Sequence, residues 1–419
     1  MAYTKRGPFV NDNAPYINAA NLNAIEDGIA NAASTADAAL AASSGASGIY
    51  GGAALDSFAG ASDDAKLTAA LSYAAAQTQI PAIMMPTTRV PTFSQGGRVP
   101  FSGMKIVGGP GGNRNPELSS GKFVSSFVKL RCGNAASSWF VGAGAVYNVY
   151  IADIGFEGSS NVQFWEQPMS TAPGLYSCRF ENLGFNLFKH IIGRPGSTAA
   201  MTQVEFSGHW TANNAWDQQF TIGGSDNQLW MDGYINMGTG QSGSLSGDNT
   251  KFYAQFAGLS NTNVGYMYLS GLNGYNCLRI TGNSDGLQFF GGVYEGYKPS
   301  GVPSGNGALT LANPGSVIRI EGGSGAFYGG NFGQAMAQPP ADHLGVIDVK
   351  AGEWNFHSPN FYKGTMAESV PMISRSGTAR VAVFGATKRT GESWTARPGF
   401  KANTGGSSDI YPASSMTSL

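Results

Sequence analysis

Residues Leu55–Gly112 read LDSFAGASDDAKLTAALSYAAAQTQIPAIMMPTTRVPTFSQGGRVPFSGMKIVGGPGG, and three pieces of this stretch decide the fold. The first, LDSFAGASDDAKLTAAL, is an acidic turn leading into a helix. Asp63 or Asp64 suits its N-cap, and Leu67, Ala70, Leu71 and Ala74 fall at helical spacing. The second, AIMMPTTRV, is a short apolar run stopped by Pro86. The third, MKIVGGPGG, is another short strand, stopped by glycines. A helix followed by short, punctuated strands is the start expected of a right-handed parallel β-helix. The helix plugs the first coil, whose end would otherwise expose a row of unpaired strand groups.

Composition agrees with an all-β solenoid. The chain has 419 residues with 60 glycines, and only 12% are charged, against roughly 25% in ordinary soluble domains. Disorder does not account for the low charge, because disordered chains are charged and poor in aromatics, whereas here 42% are hydrophobic and 11% aromatic. The net charge of -1 and the lack of a basic stripe argue against nucleic acid as a partner. No run of about 18 apolar residues is present, so no membrane insertion is expected. The N-terminus MAYTKRGPFVNDNAPY has no apolar signal core. Cys132, Cys178 and Cys277 are odd in number and far apart, which makes neither a disulfide framework nor a zinc pattern. They read as buried inward thiols.

Four segments repeat one pattern: Gln219–Tyr234, Cys277–Tyr294, Val317–Phe332 and Val346–Phe361. Each has an alternating strand, a glycine-rich turn, a second aromatic strand and a further turn. Their uneven spacing fits coils with insertions that form loops on one face. Alternation points Phe220 and Ile222, Leu278 and Ile280, Ile318 and Ile320, and Ile347 and Val349 inward. Arg319 then falls beside Asp348, and Glu321 beside Lys350, both charge-complementary.

The block at Leu55–Gly112 resembles the start of the pectate-lyase-like β-helix proteins, which include many phage tailspikes. In that family an Asp-Asp-Thr helix precedes a strand ending in Pro-x-Gly. Here Asp63-Asp64-Ala65 stands in the motif's place, and Thr88 where the family's glycine falls. The resemblance implies the fold, which hosts lyases, hydrolases, isomerases and plain binders.

Residues 1–48 differ from the rest. Leu22, Ile25, Ile29, Ala32, Ala36 and Ala39 are spaced alternately three and four apart, a short heptad seam. One helix so short is marginal alone. Three identical copies bury the seam around Leu22, Ile25 and Ile29; the alternative is a helix docked on its own domain. The run Phe9, Pro15, Ile17, Ala19, Leu22, Asn23, Ile25, Glu26, Gly28 and Ile29 resembles the N-terminal arms of phage tail fibres and minor tail proteins. The seam leads to the expectation of a homotrimer, and the resemblance implies a virion-attachment end, holding other tail or baseplate proteins through the arm, on a tail protein that acts outside the host cell. The β-helix is expected over 49–391 and a polar tail over 392–419.

Chemistry is thinly marked. Glycan-cleaving β-helices need paired carboxylates about 5–10 Å apart. Glu181, Glu205 and Asp232 sit near strand ends on successive coils and are the catalytic candidates, although turn acids more often accept backbone N–H bonds. The four histidines show no metal spacing, and no nucleophile elbow or phosphate loop is found, so no metal and no cofactor is expected. The stretch GHWTANNAWDQQF offers Trp210, Asn213, Asn214, Trp216 and Asp217, an aromatic-polar set suited to stacking and hydrogen-bonding a sugar; the alternative is that the tryptophan rings fill the β-helix core or the trimer interface. The leading expectation is a tail fibre or tailspike that binds a host surface glycan. The alternatives are a tailspike depolymerase and, with less support, a cellular polysaccharide lyase.

Overall fold

The helix forms where its spacing places it. Helix α1 spans Asp63–Ala75 and buries Leu67, Ala70 and Ala74 against the first coil, with Leu71 packed at the margin. Its N-cap is Ser62 rather than either aspartate: Ala65 N donates to Ser62 Oγ at 3.2 Å. The aspartates are committed elsewhere. Asp63 accepts from the Arg89 guanidinium and from Thr92 N at 2.7 Å. Asp64 accepts from Ser94 N and Ser94 Oγ, both at 2.8 Å, and pairs with Arg98. The acidic pair therefore clamps the following loop onto the helix.

This clamp gives a pH dependence. The Arg89 hydrogen bonds hold the carboxyls of Asp56 and Asp63 below the ordinary value of 3.8, against an opposing push from burial. A carboxylate with a depressed folded value contributes stability that is fully present above its unfolded value. That stability is lost as pH falls through the folded value. Thermal unfolding scanned from about pH 5 downward should show a drop in midpoint below about pH 4 that is smaller in Arg89→Met. Equal acid sensitivity in the two proteins would mean the clamp does not contribute.

Beyond the cap the chain winds into a right-handed parallel β-helix. The computed structural model describes residues 52–109, 118–119, 122–123, 128–133, 138–166, 174–192, 199–208, 210–213, 220–225, 227–231, 234–235, 254–260, 263–264, 268–272, 278–281, 284–297, 318–334, 346–362, 372–375, 377–388, 400–402 and 410–412. Leu22, Ile25 and Ile29 lie outside these.

Three long parallel ladders run along the body. The first starts at Ala53–Ala54 and passes through Ala82–Met85 and Lys105–Gly108 to the opening residues of Tyr150–Glu166 and Arg179–Ile192. It continues through Glu205–Gly208, Gln228–Met231, Asn263–Val264, Leu287–Phe290, Ser324–Tyr328, Glu353–His357 and Arg380–Phe384 to Ile410–Pro412. The second runs from Thr92–Phe93 to Thr387–Lys388, and the third from Phe140–Val141 to Phe400–Ala402. The segment 392–419 is thus more than a tail, since it adds a rung to the first ladder and one to the third.

The corner between first and second ladders is tight and left-handed. Asp153 and Asn182 occupy it at φ 60° and 50°, a region Asx residues tolerate. Asn182 Nδ2 donates to Asp153 Oδ1 at 2.9 Å. Gly208, at φ 73°, takes the position on the next coil, where a Cβ would stand 2.1 Å from Asn182 Oδ1 and displace that side chain. Connections from second to third ladder are longer, as from Tyr297 to Ile318 and from Gln334 to Ile347, which accounts for the uneven repeat spacing.

The last three sequence repeats stack in register. Leu278, Ile318 and Ile347 align, as do Phe289, Phe327 and Phe356. One further coil separates them from Phe220, which pairs with Ala254, itself paired with Leu278. Ile280, Ile320 and Val349 are inward and fully buried. Arg319 does stand opposite Asp348. The ion pairs, however, run along each strand, from Arg319 to Glu321 and from Lys350 to Asp348 at 3.0 Å.

Candidate functional site

Alternation along the first ladder fixes what its outer face displays. Ile151, Phe180, Phe206, Leu229, Phe289, Phe327, Phe356 and Val383 fill the core, so the residue on either side of each points out. One outer column carries Tyr150, Arg179, Glu205, Gln228, Gln288 and Asn355. The adjacent column carries Ala152, Glu181, Ser207, then Phe290, Tyr328, His357 and Phe384.

Two of the three candidate acids meet here. Arg179 Nη2 lies 3.3 Å from Glu181 Oε2, and Arg179 Nε lies 3.5 Å from Glu205 Oε1. Tyr150 Oη donates to Glu181 Oε2 at 2.9 Å. Because both carboxylates touch one guanidinium, their separation falls under the roughly 10 Å limit for paired-carboxylate chemistry. A shared arginine also suits a charge ladder between neighbouring coils. Asp232 lies outside the described residues.

The second half of the face is aromatic. Phe290 and Tyr328 stack at 5.2 Å, Tyr328 and His357 at 4.9 Å, and His357 and Phe384 at 4.8 Å, with planes within 13° of parallel. These separations match the strand spacing, so each ring is held by its rung. Tyr328 and Phe384 are each 40% exposed. The stack presents ring edges to solvent along its length, with exposed Gln288 and Asn355 in the column alongside. Ordered aromatic edges beside amides are chemistry for a polyhydroxylated ligand.

Of the expected glycan loop, only Trp210 and the strand Thr211–Asn213 lie among the described residues. Trp210 is 1% exposed: its ring packs on Phe185 and Phe206, and Nε1 donates to Ser207 O at 2.8 Å. It is a core residue, because it enters a second-ladder rung at an inward position. Asn213 belongs to that rung, Thr211–Asn213, in register with Asn186. Asn214, Trp216 and Asp217 lie outside the described residues. Trp139, Trp165 and Trp354 are fully buried as well. The outer column was missed because it is built from the second member of the doublets Phe289-Phe290, Phe327-Tyr328 and Phe356-His357. Aligning those doublets against strand alternation finds it.

Other chemistry is quiet. Burial pushes the Cys178 thiol up to about 11 and the Cys132 thiol higher still, so both are inert fillers. A cavity of about 190 Å³ beside the cap is lined by Ala54, Leu55, Met84, Pro86, Thr88 and Asp56, and Asp56 is already paired with Lys66 and Arg89. Among the described residues there is no cluster of metal-ligating side chains, and no helix is long and apolar enough to cross a membrane.

The chain is similar to the A-module of mannuronan C-5 epimerase AlgE4 from Azotobacter vinelandii, with a TM-score of 0.46 and 10% identity over 84% of this chain and 91% of that one. The A-module of AlgE6 from the same organism gives 0.37 and 10% over 80% and 86%. Tailspike protein 3 of bacteriophage CBA120 gives 0.30 and 9%, over 87% of this chain and 59% of that one. Likenesses this distant say nothing about activity. No family model and no curated protein sequence matches the chain.

Proposed function

We propose that this chain is the subunit of a homotrimeric phage tail fibre or tailspike, and that it recognises a glycan on the host surface through the outer face of its first ladder. The observation that carries the binding role is the stacked column Phe290–Tyr328–His357–Phe384 beside exposed Gln288 and Asn355. Four rings fixed at strand spacing lose no side-chain freedom when a ligand arrives. The tail assignment and the trimer rest on the arm sequence around Leu22, Ile25 and Ile29. Sedimentation of the full chain at monomer mass contradicts the trimer.

The test of binding is an array of bacterial surface polysaccharides probed with the full-length protein. Tyr328→Ala opens a gap in the stack and is expected to weaken binding about tenfold, or ~1.4 kcal/mol, on the scale of interface anchors. Its melting temperature should barely move, because the ring lies outside the core. Undiminished binding by Tyr328→Ala, or no polysaccharide bound by the wild type, defeats the proposal.

A depolymerase is the second reading, favoured by Glu181 and Glu205 sharing Arg179 on the same face. Release of new reducing ends from a bound polysaccharide, lost in Glu205→Gln, decides for it.

A further inference from the structure

The long ring column has its faces covered by its own members. A shorter column does not. Just before the first ladder runs a short ladder that starts at Val146–Tyr147, Leu175–Tyr176 and Ala199–Thr202 and joins Phe220–Ser225 at its next rung. Val146, Leu175 and Met201 point inward and are buried, so Tyr147, Tyr176 and Thr202 point out. Tyr147 is 46% exposed and stacks on Tyr176 at 5.0 Å with planes 18° apart. The next rung carries Thr202 in place of a third ring. Among the described residues, therefore, no ring covers the far face of Tyr176.

Polar groups line the edge of this platform. The residue after each outward position is Asn148, Ser177 or Gln203, all exposed and all left-handed, at φ 56°, 51° and 56°. Ser177 Oγ donates to Gln203 Oε1 at 3.2 Å. Backbone bonds fix the rungs: Asn148 N donates to Tyr176 O and Ser177 N to Thr202 O, each at 3.0 Å. Tyr147 N is tied to Ser102 Oγ, also at 3.0 Å. Three non-glycine residues at positive φ on successive coils keep the polar column in step with the ring column.

We propose that Tyr147 and Tyr176, with Asn148, Ser177 and Gln203, form a second carbohydrate site that takes one neutral pyranose face-on. The C–H face of the sugar lies on the Tyr176 ring, and the amides and the hydroxyl meet its hydroxyl groups. The column supplies no formal charge, and Arg179 and Glu205, each two residues further along its rung, are engaged in the Glu181–Arg179–Glu205 ion pairs. A sugar carrying a carboxylate is therefore not favoured. The site rests on the reading that the chain binds glycan, and it is separate from the first-ladder column. One sugar on one ring face gives an affinity of about millimolar order.

The experiment is saturation-transfer NMR on the full chain with three neutral probes, cellopentaose, maltohexaose and chitopentaose. Wild type should transfer saturation to ring C–H protons of at least one probe. Tyr176→Ala should reduce that transfer at least threefold, and Tyr147→Phe, which keeps the stacked ring, should retain it. If Tyr176→Ala does not fold, Tyr176→Thr repeats the Thr202 rung and replaces it. Tyr328→Ala separates the two sites. Transfer that survives Tyr328→Ala and falls in Tyr176→Ala supports the site even if the first-ladder reading fails. Transfer unaffected by Tyr176→Ala, or absent from all three probes, overturns the proposal, and the first-ladder reading is still judged on the polysaccharide array.

Discussion

Asp64→Ala is expected to cost about 3–5 kcal/mol of stability, because it leaves a buried guanidinium without its counter-charge. The Arg98 side chain is 8% exposed and lies against Phe93 and Trp139, at 5.4 and 5.3 Å from their ring centres. Burial works against its charge, and Asp64 offsets that effect. The same substitution removes the acceptor for Ser94 N and Ser94 Oγ. Chemical denaturation should show the loss, and Asp64→Ala combined with Arg98→Leu should recover part of it. A single-variant loss under about 1 kcal/mol would show that the pair is not the closure of the cap.

Phe327→Ala should cost a similar ~3–5 kcal/mol, by cavity formation in the core. Its ring lies between Phe289 at 4.2 Å and Phe356 at 5.1 Å, with Tyr294, Phe332 and Trp354 around it. Two residues away in the same strand, Gly325 has no room for a Cβ, which would come within 2.6 Å of the Trp354 ring, so little nearby can collapse into the hole. Solenoid coils are coupled to their neighbours. Hydrogen exchange should therefore accelerate in Glu353–His357 and Leu287–Phe290 before it does at Arg179–Ile192. The next residue, Tyr328, faces outward, and its loss should leave exchange nearly unchanged. Uniform acceleration along the chain speaks against nearest-neighbour coupling.

Much of the body was legible in the sequence because a strand has a period of two and each coil must satisfy it. Ile280, Ile320 and Val349 follow from alternation alone, and so does Arg319 opposite Asp348. The less legible parts turn on competition between equivalent groups. Ser62, Asp63 and Asp64 all suit an N-cap, and only the positions of Arg89 and Arg98, distant in sequence, reveal that the aspartates are engaged. The polar flanks of Trp210 left both a surface ring and a core ring open, and its inward position at the rung decided for the core. The functional face was hidden for a related reason. An outward aromatic beside an inward one reads as a single apolar pair until the coil register separates them.

The unequal corners of the coil make the protein divisible for engineering. Length added between Gln334 and Ile347, or between Tyr362 and Ile373, enters connections that are already long in sequence. The first ladder, closed on its far side by left-handed residues that admit no extra length, keeps its register. A foreign peptide or small domain grafted into either connection can therefore be displayed without displacing a rung that presents Tyr328 or His357.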